Sequence, residues 1–299
     1  MPMNLRQMEV FRAVMREGSI TAAAASLNVS QPSVSEIIKH AEVRCGLKLF
    51  EREKGRLRPT PHALRLRDEV ETVFMQVQKV NRLIDELKSQ RDLNLQLGCV
   101  YSLTLALVPK IISRLHMEQP NIFPRVIVER RDEVARKVSN GLLDAALTFL
   151  SDTYPGTDLI TLKRAPLRFL CLRSHPLADR QSVTLAELAG ETFIGYLPHL
   201  SVQRLLERSF AQQGHRFRPV FSVEQMVQAW VLVQDAQGVA IVDPFSQLET
   251  FFPSLASIEI SDLPLLPLEL VVKKDAKLSP ALETLIALVT RQDEPGGGR

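Results

Sequence analysis

The sequence predicts an α/β chain in three parts: a small helical head closed by a basic hairpin, a long linker helix, and a two-lobed α/β body. Three observations predict it. Apolar residues recur at helical spacing in three runs before residue 46. A strict apolar period of 3.5 residues then spans 66–87. Beyond 92, short apolar runs alternate with helical patterns. The 299 residues are 45% apolar and 24% charged, an ordinary globular composition with length for two or three domains.

In the head, Asn4 and Gln7 form a capping box for a helix carrying Leu5, Met8, Phe11 and Met15 on one stripe. Gly18 stops it. Ser19 or Thr21 caps an Ala-rich second helix that ends near Leu27, with Asn28 suited to a left-handed stop. Ser30 caps a short third helix with Pro32 in its first turn. Val34, Ile37, Ile38 and Ala41 fall on its inward face, and Pro32, Glu36, Lys39 and His40 on the other. Two small helices joined tightly, with alanines at 22–25 permitting close approach, fit helix-turn-helix geometry.

The polar edge has the chemistry of a major-groove reader. Gln31 pairs with adenine, Ser33 and Ser35 suit base edges or phosphates, and the Pro32 ring meets a thymine methyl. A hairpin with Gly55 at its tip presents Arg52, Lys54, Arg56 and Arg58 to phosphates or the minor groove. Net charge is +3, and residues 1–65 carry 11 Lys/Arg against 6 Asp/Glu, so the excess of positive charge lies in the head.

Thr60 and Pro61 start the linker helix, expected to run to about Gln90. Leu66, Val70, Val73, Val77, Val80, Ile84 and Leu87 step by four and three alternately, an a/d seam expected to pair with a second copy; the alternative is a helix packed on its own domain, which more often shows a period of 3.6 and a wider stripe. A helix-turn-helix dimer then reads two half-sites.

From 92 onward strands are expected at Leu93–Leu97, Val126–Val128 and Ala145–Phe149, with a turn from Gly98 to Thr104 and helices through Met117 and from Asp132 to Asn140. A comparable set follows: strand Thr192–Tyr196, helix Val202–Gln213, strand Val220–Val223, helix Glu224–Ala236 and strand Val239–Val242. Leu268–Lys273 and helix Pro280–Arg291 return the chain. This rhythm predicts parallel sheets in two hinged lobes, with a disordered tail at the end. Domain expectations are 1–61 for the head, 62–91 for the linker, 92–162 plus 266–293 for lobe one, 163–265 for lobe two, and 294–299 for the tail.

Ligands of open α/β sheets sit at strand carboxyl ends beside helix N-termini, where free N–H groups favour an anion. Those places hold Ser102, Leu103, Thr104, Arg130, Arg131, Thr148 and Phe149 in lobe one, and His199, Leu200, Ser201, Val223 and Glu224 in lobe two. Glu129, Asp132 and Glu133 stand close enough in sequence to neutralise Arg131. No dinucleotide, phosphate-loop or serine-hydrolase motif is present, and His199, Glu224 and Asp243 form no spaced catalytic set. Cys45, Cys99 and Cys171 lie far apart, so no metal, disulfide framework or other cofactor is expected. No apolar run reaches 18 residues and the start lacks a secretory layout, so no membrane span is expected and the expected location is the cytoplasm.

Several stretches closely resemble the DNA-binding domain of LysR-type transcriptional regulators. They are Ala22-Ala23-Ala24 to Leu27, Val29-Ser30-Gln31-Pro32-Ser33-Val34-Ser35, Gly46-Leu47-Lys48-Leu49-Phe50-Glu51-Arg52 and Arg58-Pro59-Thr60-Pro61. The pattern extends into the body through Leu97-Gly98, Leu107-Val108-Pro109, Gly141-Leu142-Leu143-Asp144, His175-Pro176-Leu177 and Gly238-Val239-Ala240 to Pro244. The resemblance implies DNA contacts from Gln31, Pro32, Ser35 and the hairpin around Arg52. It also implies a homodimer or homotetramer through the linker helix, and a periplasmic-binding-protein-like effector domain. Ser102 matches a position that holds an effector carboxylate, and Ser201 and Val202 match the cleft lining of lobe two. The body is similar to that of regulators sensing amino-acid derivatives, so the implied partners are promoter DNA, RNA polymerase, and an amino-acid derivative or small organic acid. Three positions depart from the pattern. Glu36 stands where most members carry a basic residue, Arg131 where many carry Ser or Thr, and Ala236 where glycine is common, which bears on the turn bordering the cleft. A carboxylate at 36 accepts from cytosine N4 but repels phosphate. The alternatives from other classes are an α/β metabolic enzyme and a solute-binding protein with a basic N-terminal module.

Overall fold

A computed structural model describes residues 2–53, 56–88, 93–149 and 153–290. The expectations placed on Lys54, Gly55 and the tail at 294–299 lie outside the described residues, as do those on the side chains of Arg56 and Leu87. Two compact units divide between Asp85 and Glu86.

The first unit opens with α1 (Leu5–Glu17), α2 (Ile20–Ser26) and α3 (Gln31–Cys45). Local chemistry sets their ends. The Asn4 side chain accepts from the Gln7 N–H at 2.9 Å and the Gln7 side chain accepts from the Asn4 N–H at 3.0 Å. Gly18 stops α1 at a φ of 65°, a left-handed conformation that only glycine enters without penalty. Ser19 caps α2, Asn28 turns the chain at a φ of 53°, and Ser30 caps α3. At 15 residues α3 is longer than the short helix expected. Val34, Ile38 and Ala41 bury against Val10, Phe11, Val14, Ala23 and Ala24.

The antiparallel hairpin β1 (Phe50–Glu53) and β2 (Arg56–Pro59) follows. One carboxylate positions it. Glu42 on α3 accepts from the Leu49 and Phe50 N–H groups at 2.8 and 3.1 Å and from Lys48 Nζ at 3.0 Å. Burial alone would raise the Glu42 carboxyl, but these donors prevail and hold it below its ordinary value. The Thr60 hydroxyl donates to the Lys48 carbonyl at 2.8 Å and accepts from the Ala63 N–H at 3.2 Å, starting α4 (Pro61–Lys88). The seam of α4 divides. Val70 is buried in the head core and Leu66 packs against it, which removes both from the exposed stripe expected to pair with a second copy. Val73, Val77, Val80 and Ile84 are 36%, 39%, 56% and 41% exposed. Arg12 of α1 grips both oxygens of Glu71 at 2.9 Å and lies over the Phe74 ring, so α4 is clamped to the head.

In the second unit, β3 (Leu93–Cys99), α5 (Leu107–Glu118), β4 (Ile122–Val128), α6 (Arg131–Ser139), β5 (Ala145–Phe149) and β6 (Thr157–Ala165) build lobe one. Lobe two contains β7 (Arg168–Leu172), β8 (Ser182–Val183), β9 (Phe193–Tyr196), α7 (Ser201–Gln212), β10 (Pro219–Val223), α8 (Met226–Gln234), β11 (Val239–Val242) and β12 (Leu255–Ile260). The chain returns through β13 (Leu266–Lys273) and α9 (Pro280–Thr290).

The sheets are mixed rather than parallel. Lobe one runs β4-β3-β5-β13-β6, and lobe two β10-β9-β11-β7-β12-β8. The βαβ units are parallel as expected, but the crossing strands β13 and β7 enter antiparallel to β5 and β11. The lobe boundary lies after Ala165 rather than after 162, because β6 stays paired with β13 through Ala165 and Leu266. Gly98 and Cys99 belong to β3, not to the turn. A side chain at Gly98 would meet Leu143 Cδ1 at 2.7 Å, so glycine lets β3 pack beneath that residue. Ala236 follows α8 at a φ of 56°, a left-handed position where alanine carries strain that glycine would not.

Glu42→Ala leaves two buried N–H groups without their acceptor. It is expected to cost the head about 1–3 kcal/mol, read in the full chain as faster amide exchange at Leu49 and Phe50. Because the folded carboxyl sits below its ordinary value, its contribution is present above the carboxylate range and fades as pH falls through it. Unchanged exchange in the variant would contradict this role.

Candidate functional site

The outer edge of α3 is exposed because its inner face is spent on the core. Gln31, Pro32, Glu36, Lys39 and His40 are exposed and Ser33 and Ser35 half-buried. Gln31 Nε2 donates to Ser35 Oγ at 3.1 Å, and Ser30 and Ser33 share a 2.8 Å hydroxyl contact. These are local bonds between exposed groups, which exchange readily for partners of similar geometry. On the hairpin Arg52 is exposed, and Arg58 pairs with Glu53 at 2.9 Å. A surface pair of this kind is weak, so Arg58 stays available to a phosphate.

The second site is a cleft between the lobes of the body, with a cavity of about 180 Å³. Of the residues expected there, Ser102, Arg131, Phe149, His199, Ser201, Val202 and Glu224 line it, as do Arg130 and Leu200. Leu103, Thr104, Thr148 and Val223 do not. Leu103 faces the core from a single 3-10 turn, Tyr101–Leu103, and Thr148 is fully buried within β5. The Thr104 hydroxyl is spent on the Tyr101 carbonyl at 2.7 Å, and the Val223 carbonyl accepts from the Leu197 N–H at 3.0 Å. Ala236 borders a separate surface cavity beside Gly238, not this cleft.

The cleft is mixed in charge, Arg130 and Arg131 lining it with Glu129, Asp132 and Glu224, and its receptive groups are helix starts and one hydroxyl. Neither α6 nor α7 has a side-chain cap, so their leading N–H groups point at the cleft without that partner. Ser102 Oγ is buried and has no hydrogen-bond partner among the described residues, a cost that a ligand oxygen removes. The carboxylates near Arg131 each have another basic partner, and Arg131 is itself not without a partner. Glu129 pairs with Lys137, Asp132 with Arg130 at 3.7 Å and Glu133 with Arg136 at 2.6 Å.

Sequence reasoning missed the floor. Tyr196 and Met226 form it, and behind them lies Asp243, buried in lobe two. The Tyr196 hydroxyl donates to the Ile241 carbonyl at 2.8 Å, and Asp243 N–H donates to Met226 Sδ at 3.2 Å. Asp243 Oδ1 accepts from the Phe245 and Ser246 N–H groups, both at 2.7 Å, while Oδ2 has no partner among the described residues. Burial raises the Asp243 carboxyl to about 7, with Glu249 adding to the rise and the two N–H donors opposing it. All four positions of β9 are buried, so no alternation singles out Tyr196, and nothing in spacing placed Asp243 behind it.

The folded value of Asp243 lies above its ordinary 3.8. The folded protein therefore keeps a proton there between about pH 4 and pH 7 that the unfolded chain has lost, so this contribution to stability falls as pH rises through that window and is level above it. Asp243→Asn is expected to flatten the decline, measured as full-chain melting temperature from about pH 5 to pH 8. Parallel profiles for the two proteins would contradict it.

Comparison with known proteins gives concordant matches. The profile of the bacterial regulatory helix-turn-helix proteins of the lysR family matches residues 5–64, and that of the LysR substrate binding domain matches residues 88–294. The HTH-type transcriptional regulator DgcR of Pseudoalteromonas sp is 32% identical, over 87% of this chain and 89% of its own. The transcriptional activator protein LysR of Escherichia coli (strain K12) is 28% identical, over 82% of this chain and 79% of its own. The crystal structure of CbnR, a LysR family transcriptional regulator, superposes with a TM-score of 0.71 at 20% identity, covering 98% of this chain and all of that one, a likeness of fold.

Proposed function

The chain belongs to the LysR family of bacterial transcriptional regulators, and from that premise we propose that the outer edge of α3 and the basic hairpin bind promoter DNA. A small effector held between the lobes modulates that binding. The observation that carries this is the division of α3 into an apolar face committed to the core and a polar edge left to solvent, beside a basic hairpin. Gln31, Pro32, Ser33, Ser35, Glu36 and Lys39 face base pairs. Arg52 and Arg58, with Lys54 and Arg56 of the same hairpin, meet phosphates or the minor groove.

The exposed apolar stripe Val73, Val77, Val80 and Ile84 on α4 supports self-association through that helix. A dimer or tetramer places two heads on DNA, as a pair of half-sites requires. The chain works in the cytoplasm, with RNA polymerase as a further partner at the promoter.

For the effector we propose a small carboxylate, an amino-acid derivative or organic acid. Ser102 Oγ, Ser201 and the uncapped starts of α6 and α7 take its oxygens, while Phe149, Val202 and Met226 take its apolar part. Bridging the lobes, it favours whichever arrangement lets both contribute, and it changes DNA binding only by its differential affinity for the two arrangements.

Two outcomes test this. Val77→Asp with Val80→Asp is expected to shift the protein toward monomer in sedimentation and to weaken duplex binding at least tenfold, at roughly 1.4 kcal/mol per tenfold. Retention of the wild-type assembly would contradict the seam. In a thermal-shift screen of amino acids and small organic acids, the strongest stabiliser is expected to lose roughly fivefold to tenfold in affinity in Ser102→Ala, with DNA affinity in its absence unchanged. Equal affinity for the variant would remove Ser102 from the site.

A further inference from the structure

We propose that Glu36 is a specificity residue that selects a cytosine in each half-site. The inference rests on α3 being the base-contacting helix, and it adds which base one side chain demands.

Glu36 is the sole acid between Gln31 and His40. With Pro32 and Lys39 it forms an i, i+4, i+7 crest opposite the buried Val34 and Ile38. Phosphates line the walls of a major groove and base edges line its floor. The crest of an inserted helix points at the floor, so the Glu36 carboxylate meets bases, while Gln31 reaches base edges from the helix N-terminus.

The carboxylate is also unspent. Its side chain is 71% exposed, and its ionic neighbour His40 Nε2 stands 4.0 Å away, beyond hydrogen-bond reach, with its own side chain 64% exposed. Among the described residues Glu36 has no hydrogen bond within the protein.

An ionised carboxylate accepts and never donates. In the major groove, guanine offers acceptors at O6 and N7 and thymine an acceptor at O4, so both repel it. The amino groups of cytosine N4 and adenine N6 donate. Adenine carries the N7 acceptor beside its amino group, which opposes the second carboxylate oxygen. Cytosine presents its amino group with no acceptor beside it on its own edge, so it alone satisfies Glu36 without a penalty. Selection works as much by rejection as by attraction, because a carboxylate lowered among phosphates without a donor is strongly disfavoured. Gln31 lies five residues earlier, about 7.5 Å along the helix, so the cytosine falls within about two base steps of the base that Gln31 contacts.

The test is selection from a random duplex library by the full-length wild type, Glu36→Gln and Gln31→Ala, followed by anisotropy titrations on duplexes differing at one base pair. The wild type is expected to enrich a cytosine at one position of each half-site. It should bind that duplex roughly tenfold more tightly than one with guanine there. Glu36→Gln is expected to lose that preference and gain one for adenine, the base an amide pairs with. Two results overturn the inference: cytosine enrichment that persists in Glu36→Gln, or a variant whose affinity rises evenly on every duplex. The second would make Glu36 a solvated charge. Gln31→Ala separates the two levels. If it loses sequence preference while Glu36→Gln keeps the wild-type sequences, this inference alone fails. If neither variant alters the selected sequences, base reading by α3 fails with it.

Discussion

The burial of Val34, Ile38 and Ala41 is the constraint on which the head depends. A helix committed to the core by one face has no freedom to choose its other face, so Gln31, Pro32, Glu36 and Lys39 must point outward. The rest of the head keeps that edge in place. Glu42 ties the end of α3 to the start of the hairpin through two backbone donors, so the hairpin arginines are carried in a set relation to the helix. Arg12 and Glu71 tie α1 to α4 through one Nε–H shared between both carboxylate oxygens. A reorientation of α4 therefore carries α3 and the hairpin with it, which is what a regulator needs if a distant event is to change how its heads meet DNA.

The body applies a related logic to a ligand. Two lobes joined by crossing strands can close over a small molecule only if each supplies contacts that stay unsatisfied without it. In the proposed effector site, lobe one would supply Ser102 and the start of α6, and lobe two the start of α7 over a floor of Tyr196 and Met226. Satisfying both sets at once favours one arrangement of the lobes, and the size of the response is limited by how unequal the two arrangements are for the ligand. The unpaired oxygen of Asp243 behind the floor makes that part of lobe two sensitive to proton concentration as well.

Much of the head was legible because its signals are local. Asn4 with Gln7, Gly18, Ser30 and Thr60 each mark a helix end within four residues of the group they satisfy. The body was legible where strand and helix alternate and obscure where the chain crosses between lobes. The β6, β7, β8 and β12 strands were missed: Thr157–Ala165 mixes polar and apolar residues without a clean alternation, Arg168–Leu172 and Ser182–Val183 are short, and the pairing of all four is set by strands distant in sequence. The same long-range pairing made the sheets mixed. Strand-end reasoning put Ser102 and Ser201 at a cleft that both line, but also admitted Leu103 and Thr148, because it locates a residue along the chain and not the side on which its side chain emerges. The period of α4 was read correctly, but Leu66 and Val70 were assigned to a partner when the head had already taken them. Periodicity identifies an apolar stripe without saying what covers it.

The claim at the centre of this account is that two copies of the α3 edge lie against base pairs on one face of a duplex. Hydroxyl-radical footprinting of the full-length protein on a bound operator tests it most directly. The account predicts two protected patches on the same face, centred about one helical turn of roughly 10.5 base pairs, or a multiple of it, apart. A single isolated patch, or protection without helical phasing, would contradict it.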